Sequence, residues 1–202
     1  INVVIRRGKL LQGMQNGAMI SVTANINLVR PIIQSYGCEI SIISTNEDFV
    51  VSGTAFAIDA LCTELEEAKI NFVRINIALA GHSSLMESVR HQFDNIFTGI
   101  KLERPNHLIV SNVTGDIANH EFADPSYWFT QIRSVVQFAA GVEKLIQILN
   151  DNVTFLEIGT GKGLCYYVNK IATKNSYAGV KVVYCLPSQK QNAVGLTTVT
   201  NG

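Results

Sequence analysis

The sequence predicts an α/β protein, and three observations carry that expectation. Residues 17–79 alternate between two-residue and 3.6-residue apolar periods in the order β-α-β-β-α-β, the ferredoxin-like supersecondary pattern. Residues 107–186 continue with the strand–helix–strand alternation that builds a parallel sheet. The composition, 47% hydrophobic and 16% charged over 202 residues, belongs to a chain that buries a large core rather than a disordered one.

Each element has its own signal. Gly17–Ala24 reads as a strand and Leu28–Tyr36 as a short helix closed by Gly37, with Pro31 expected in its first turn. Glu39–Thr45 and Phe49–Gly53 are β-rich runs separated by Asn46-Glu47-Asp48, a hairpin signal. Ala55–Lys69 carries Ile58, Leu61, Cys62 and Leu65 at helical spacing with Glu64, Glu66 and Glu67 on the wet side, and Asn71–Leu79 closes the unit as a strand. Beyond it, one helix is expected from Ser84 to Phe97 and a strand from His107 to Asn112, followed by the turn Thr114-Gly115-Asp116. Asp124-Pro125 starts a helix over Ser126–Arg133. Helices over Phe138–Leu149 and Gly163–Lys174 and strands over Thr154–Ile158 and Lys181–Leu186 complete the pattern. The stretch after Pro187 reads as a linker or tail, residues 188–202.

Charge and cysteine usage exclude several classes. Sixteen Lys+Arg against sixteen Asp+Glu leave no electrostatic footprint for nucleic acid or an acidic membrane surface. No apolar run reaches the ~20 residues that span a bilayer. Cys38, Cys62, Cys165 and Cys185 stand singly, so no metal site is expected and the thiols read as small buried groups in a reducing compartment. With no signal or transit segment visible, the expected location is cytoplasmic. The apolar opening Ile1-Asn2-Val3-Val4-Ile5 reads as the inside of a folded element.

Three motifs compete for the chemistry. Gly81-His82-Ser83-Ser84-Leu85 follows a strand and precedes a helix, which suggests a serine nucleophile at Ser83; the nucleophile elbow, however, needs glycine where Leu85 stands. His82 is the better candidate in that segment, as a general base near neutral pH, against the ordinary alternative of a structural histidine. Leu156-Glu-Ile-Gly-Thr-Gly-Lys-Gly163 has the form of a glycine-rich cofactor turn, but also of a plain strand-to-helix turn. Arg6-Arg7-Gly8-Lys9 is either a solvated helix end or a guanidinium placed to hold a carboxylate.

Seven segments occur in an order that resembles one family, the acyltransferase domain of modular polyketide synthases and animal-type fatty acid synthases, related to malonyl-CoA:acyl-carrier-protein transacylases. They are Arg7–Gln12 with Gly17-Ala18-Met19, Val50–Gly53, His82–Glu87, Val110–Gly115, Ala123–Trp128, Val136–Ala139 and Phe155–Gly161. The resemblance implies a small ferredoxin-like subdomain, residues 17–79, inserted in an α/β-hydrolase-like large subdomain, residues 1–16 and 80–187. It also implies His82 as the catalytic histidine, Arg7 as the partner of a malonyl-type carboxylate, Asn46 near the cleft and the Gly159-Thr160-Gly161 turn as a loop whose carbonyl orients the histidine. No tightly bound cofactor is implied: acyl-CoA is the substrate and the acyl carrier protein brings the phosphopantetheine thiol. Neighbouring synthase domains, ketosynthase and linker, are the other implied partners.

The sequence departs from the family pattern in three places. Thr160 replaces the usual proline of Gly-Pro-Gly. Leu79-Ala80-Gly81 matches neither of the specificity patterns before the histidine, and Gly81 leaves room for a substituted malonyl group. A Gly-His-Ser-x-Gly elbow is absent from the 202 residues, so the chain is expected to be a fragment that forms no acyl-enzyme alone. The alternatives are a non-catalytic module docking a carrier protein or synthase domain, or a serine hydrolase using Ser83.

Overall fold

The computed structural model describes residues 1–14, 17–150, 152–186 and 197–199. The chain divides into two compact units, residues 1–138 and 139–202. Segments 1–14 and 17–138 of the described residues lie in the first unit.

The first unit opens with helix α1, Asn2–Gln12. The order β-α-β-β-α-β then runs from Gly17 to Ile75: β1 Gly17–Thr23, α2 Ile26–Ser35, β2 Glu39–Ile43, β3 Asp48–Thr54, α3 Ala55–Glu67 and β4 Asn71–Ile75. The four strands form one antiparallel sheet in the order β2-β3-β1-β4. Ile20, Val22, Phe49 and Val51 from the central strands meet Ile26, Val29 and Ile33 of α2 and Ile58, Leu61 and Leu65 of α3 in one buried cluster. Alternation puts every second strand residue on the helix-covered face, so the periodicity of the sequence and the core are the same fact.

Two helices show how local chemistry set the ends. α3 starts where the Thr54 hydroxyl accepts the Ala57 N–H at 3.1 Å. α2 starts at Ile26, two residues earlier than expected, because the Asn25 side chain accepts the Asn27 N–H at 3.0 Å. Pro31 consequently lies inside the helix rather than in its first turn, and one intrahelical hydrogen bond is given up there.

β4 ends at Ile75, not at Leu79, because the following chain crosses the end of β1 instead of pairing with it. Gly17 makes that crossing possible: a Cβ there would lie 2.8 Å from the Leu79 carbonyl carbon and 2.9 Å from the Ala80 Cβ. The expected single helix over 84–97 is three short pieces, a 3₁₀ turn at Ser84–Val89, α4 at Arg90–Asp94 and a 3₁₀ turn at Asn95–Phe97. Met86 and Val89, three residues apart, are both buried, which the three-per-turn form permits on one face. Met86, Phe93, Ile96 and Phe97 pack with Phe129 and Ile132 in a second cluster that α1 joins through Val3, Leu10 and Leu11.

The expected strand His107–Asn112 is not formed. Only Val110 pairs, with Ile117, and the Ser111 N–H reaches the Asp116 carbonyl at 2.8 Å, which closes a tight turn instead of a ladder. α5 covers Pro125–Arg133, capped by Asp124, whose carboxylate accepts the Ser126 N–H at 2.9 Å. After it the chain runs along the free edge of β2, with hydrogen bonds of 2.9 Å from Ile43 N–H to the Val136 carbonyl and from Val136 N–H to the Ser41 carbonyl.

The second unit takes up α6, Phe138–Ile148, whose first residue lies in the first unit, followed by β5 Val153–Thr160, α7 Gly163–Lys174, β6 Val180–Leu186 and β7 Thr197–Val199. β5 and β6 are parallel and β7 joins β6 antiparallel. Within the expected tail, residues 197–199 are thus a strand; its remaining residues lie outside the described ones. No helix among the described residues is long and apolar enough to cross a membrane. Burial pushes the Cys38 and Cys165 thiols up to about 11, so they act as small apolar groups.

Gly17→Ala is expected to lower stability by about 1–3 kcal/mol, because backbone and not a flexible side chain must yield. Gly8→Ala, where an added Cβ meets nothing within 4 Å on an exposed helix, is expected to raise it by about 0.5–1 kcal/mol. Paired chemical-denaturation curves read both signs.

Candidate functional site

The segment Ala80–Ser84 is held from three sides. The Ser52 hydroxyl on β3 donates to the Gly81 carbonyl at 2.8 Å, and Gly17 of β1 abuts Ala80. From the end of α5, the Ile132 carbonyl accepts the His82 N–H at 2.9 Å. His82 itself sits at φ +57°, a left-handed conformation that side-chain-bearing residues adopt at a cost and keep only when their surroundings fix them.

The ring of His82 is oriented by the next carbonyl along: Nδ1 lies 3.0 Å from the Ser134 oxygen. A carbonyl oxygen only accepts, so Nδ1 carries the proton and the lone pair of the neutral ring is on Nε2. Burial lowers the histidine below its ordinary 6.5, the Ser134 carbonyl opposes that, Arg7 lowers it again and the Gln131 carbonyl opposes; the net direction is down. The group is therefore a neutral base at neutral pH, with its lone pair on Nε2.

Arg7, on α1, is the charge felt by that ring. Its Nε is buried and has no hydrogen-bond partner. An orphaned guanidinium donor inside a protein is costly unless something accepts from it, and a carboxylate is the natural acceptor because it can take two N–H groups of the fork. Arg7 and His82, singled out for the carboxylate and base roles, are thus within electrostatic reach of each other.

Within the first unit, Asn46 and Ser83 do not join them. Asn46 is exposed in the β2–β3 turn, its carbonyl accepting the Ile26 N–H at 3.0 Å. That turn lies past Asp48, whereas the His82 segment is tied to Ser52; four residues of strand put the two about 13 Å apart or more. Asn46 is not part of the cluster around His82. Ser83 is 1% exposed and its hydroxyl donates to the Ala80 carbonyl at 2.7 Å, so it neither reaches a substrate nor gives its proton to His82. The serine-hydrolase reading fails on that geometry. The Gly159-Thr160-Gly161 turn belongs to the second unit; Gly161 at φ +111° supplies the turn's conformation. One N–H of the first turn of α7, that of Cys165, donates to the Glu157 carboxylate at 2.9 Å. An acidic side chain already fills the place an anionic cofactor would take, which favours the plain turn. Among the described residues no group of three or more His, Cys, Asp or Glu converges as a metal site would require.

The carbonyls of Ile132 and Ser134, the Ser52 hydroxyl and an ion pair of Glu39 with Arg133 at 3.3 Å were not visible in the sequence. Backbone acceptors have no side-chain signature, and the others sit in ordinary strand and helix positions.

Comparison with known proteins places the arrangement. The profile of the family described as "Acyl transferase domain" matches residues 1–200. The chain belongs to that family. It is 32% identical over 163 residues to the "Putative inactive phenolphthiocerol synthesis polyketide synthase type I Pks1" of Mycobacterium tuberculosis, and equally to mycoketide-CoA synthase of the same organism. Those matches cover 80% of this chain and 10% and 4% of the relatives. Among solved structures, the acyl transferase domain of SpnD, in complex with 2-(pent-4-yn-1-yl)malonyl, superimposes with a TM-score of 0.86 at 26% identity, over 95% of this chain and 45% of that one. The chain therefore spans less than half of that solved acyltransferase chain and a tenth or less of these two synthases.

Titration of the His82 Cε1–H signal is expected to give a midpoint below 6.5, and Arg7→Gln to move it upward by removing a positive neighbour. The unfolded chain then binds a proton the folded one refuses, so stability declines as pH falls below about 6.5 and His82→Gln flattens that decline. A midpoint at or above 6.5, or one indifferent to Arg7→Gln, contradicts the site's electrostatics.

Proposed function

We propose that this chain provides the base and the carboxylate-binding half of an acyltransferase that moves a malonyl-type extender unit from CoA to the phosphopantetheine thiol of an acyl carrier protein. The observation that carries the reading is the His82 ring fixed by the Ser134 carbonyl, within the electrostatic reach of Arg7, whose buried Nε has no partner. In this reading residues 17–79 are a ferredoxin-like subdomain inserted in an α/β-hydrolase-like large subdomain, and the nucleophilic serine lies outside these 202 residues.

The chemistry assigned to His82 is proton transfer in both halves of a ping-pong exchange. Nε2 takes the serine proton as the oxygen attacks the thioester carbonyl, and returns it to the departing CoA sulfur. The carrier thiol then gives its proton to Nε2, its sulfur attacks the acyl-serine, and the serine oxygen leaves with that proton. Arg7 would pair with the free carboxylate of the acyl group through both transfers, which selects malonyl-type donors over neutral ones such as acetyl. Synthase domains such as ketosynthase and linker, and the carrier protein, are the partners that go with this activity.

Gly81 bears on which malonyl group is used. A Cβ added there meets nothing within 4 Å, so the position before the histidine is open. The similar SpnD domain was solved with a malonyl group carrying a pentynyl substituent. A 2-substituted malonyl donor is therefore the proposed extender, and Gly81→Phe is expected to shift preference toward unsubstituted malonyl by about tenfold or more.

Two measurements test the reading. Intact-mass analysis after incubation with malonyl-CoA is expected to find no acyl group on the 202-residue chain. Joined to an acyltransferase segment carrying a Gly-His-Ser-x-Gly elbow, it is expected to transfer malonyl groups, with His82→Gln slowing transfer about 10²–10⁴-fold. Folded but inactive reconstitution would instead support a non-catalytic docking module.

A further inference from the structure

Glu39, the first residue of β2, is a half-buried carboxylate whose two oxygens serve two different segments. Oε1 accepts the Ser84 N–H at 2.7 Å, and Oε2 lies 3.3 Å from Nη1 of Arg133. Both segments hold His82. Ser84 is two residues past it, and Arg133 stands between Ile132 and Ser134, whose carbonyls take the His82 backbone N–H and Nδ1–H. Arg133 continues through its Nε to Glu87 at 3.3 Å, and Glu87 to Arg90 at 3.3 Å, with the Arg90 guanidinium 4.4 Å over the Phe129 ring.

Ordinary surface ion pairs contribute little, and those of Glu87 and Arg90 are of that kind. Glu39 differs because one of its bonds is a short charge-assisted bond to a backbone N–H, which fixes chain position and not only charge. Burial pushes its carboxyl up, yet the Ser84 N–H and Arg133 outweigh burial and hold it below the usual carboxylate range, so the anion is the form bound. The left-handed backbone of His82 adds a reason for such a brace, since that conformation relaxes unless neighbours on both sides are fixed.

We propose that Glu39 is a positioning residue for His82: by bridging Ser84 and Arg133 it locks the histidine segment to the end of α5, and thereby keeps Nδ1 on the Ser134 carbonyl and Nε2 free. The inference rests on the reading of His82 as the base, but its test needs no turnover.

The test follows the His82 ring in the isotope-labelled chain by long-range ¹H–¹⁵N spectra and solvent exchange of Nδ1–H. In the parent chain the neutral ring is the Nδ1–H tautomer with a protected proton. Glu39→Ala is expected to speed that exchange about tenfold and to populate the other tautomer, as loss of a charge-assisted bond predicts. Glu39→Gln, which keeps an acceptor for Ser84 but not the charge toward Arg133, falls between them and serves if the alanine variant fails to fold. Glu64→Ala, which removes the 2.9 Å bond from Tyr36 elsewhere in the same unit, controls for loss of stability and is expected to leave the ring unchanged. A folded Glu39 variant with the parent's tautomer and exchange rate, or a Glu64→Ala effect of the same size, overturns the proposal. If acyl transfer fails on reconstitution while the ring still responds to Glu39, the functional reading falls and the positioning role stands.

Discussion

Everything proposed for this chain depends on how Ala80–Ser84 is gripped. The grip consists mainly of backbone contacts: Gly17 against Ala80, the Ser52 hydroxyl on the Gly81 carbonyl, and the Ile132 carbonyl on the His82 N–H. A left-handed residue between the segment that crosses β1 and a 3₁₀ turn is unfavourable in isolation, so the neighbours must over-determine it. The four-stranded sheet supplies one jaw and α5 the other. The short parallel pairing of Val136 with β2 fixes the distance between them, because it ties the residues just after Ser134 to the same sheet.

That geometry settles the electrostatics of the pair it presents. A carbonyl on Nδ1 leaves Nε2 as the only basic site, burial keeps the ring neutral, and Arg7 adds a positive charge that disfavours protonation further. The arginine has an orphaned donor of its own. A ligand carboxylate would satisfy that donor and offset the charge next to the imidazole, so substrate binding would also make His82 a better proton acceptor. The two roles then support one another in the proposed reaction: the group that selects the acyl donor also tunes the base.

Much of the fold was legible because burial leaves a period in the sequence. Ile58, Leu61, Cys62 and Leu65 announced α3, alternation announced β1, and Asp124-Pro125 announced the start of α5. Where the structure departed, a non-periodic cause was at work. Asn25 moved the start of α2, the crossing at Gly17 shortened β4, and three-residue spacing of Met86 and Val89 broke up the helix after the histidine. His107–Asn112 has the composition of a strand, but a strand also needs a ladder, and only Val110 finds one. At the site, Arg7 and His82 could be named from motif order, whereas Asn46 could not be placed by it, since hairpin register decides which end of the sheet a turn occupies. The acceptors on His82 are main-chain carbonyls and were invisible for that reason; Glu39 looked like any polar strand residue.

The most direct test of the central claim is donor discrimination in a reconstituted acyltransferase containing this chain. Rates of transfer from a malonyl-type and an acetyl thioester are compared before and after Arg7→Ala. The account predicts that the malonyl-type rate falls by about 10²-fold or more while the acetyl rate is little changed, because only the first donor has a carboxylate for the guanidinium. Equal losses for both donors would contradict it, since Arg7 would then be holding the fold and not the substrate.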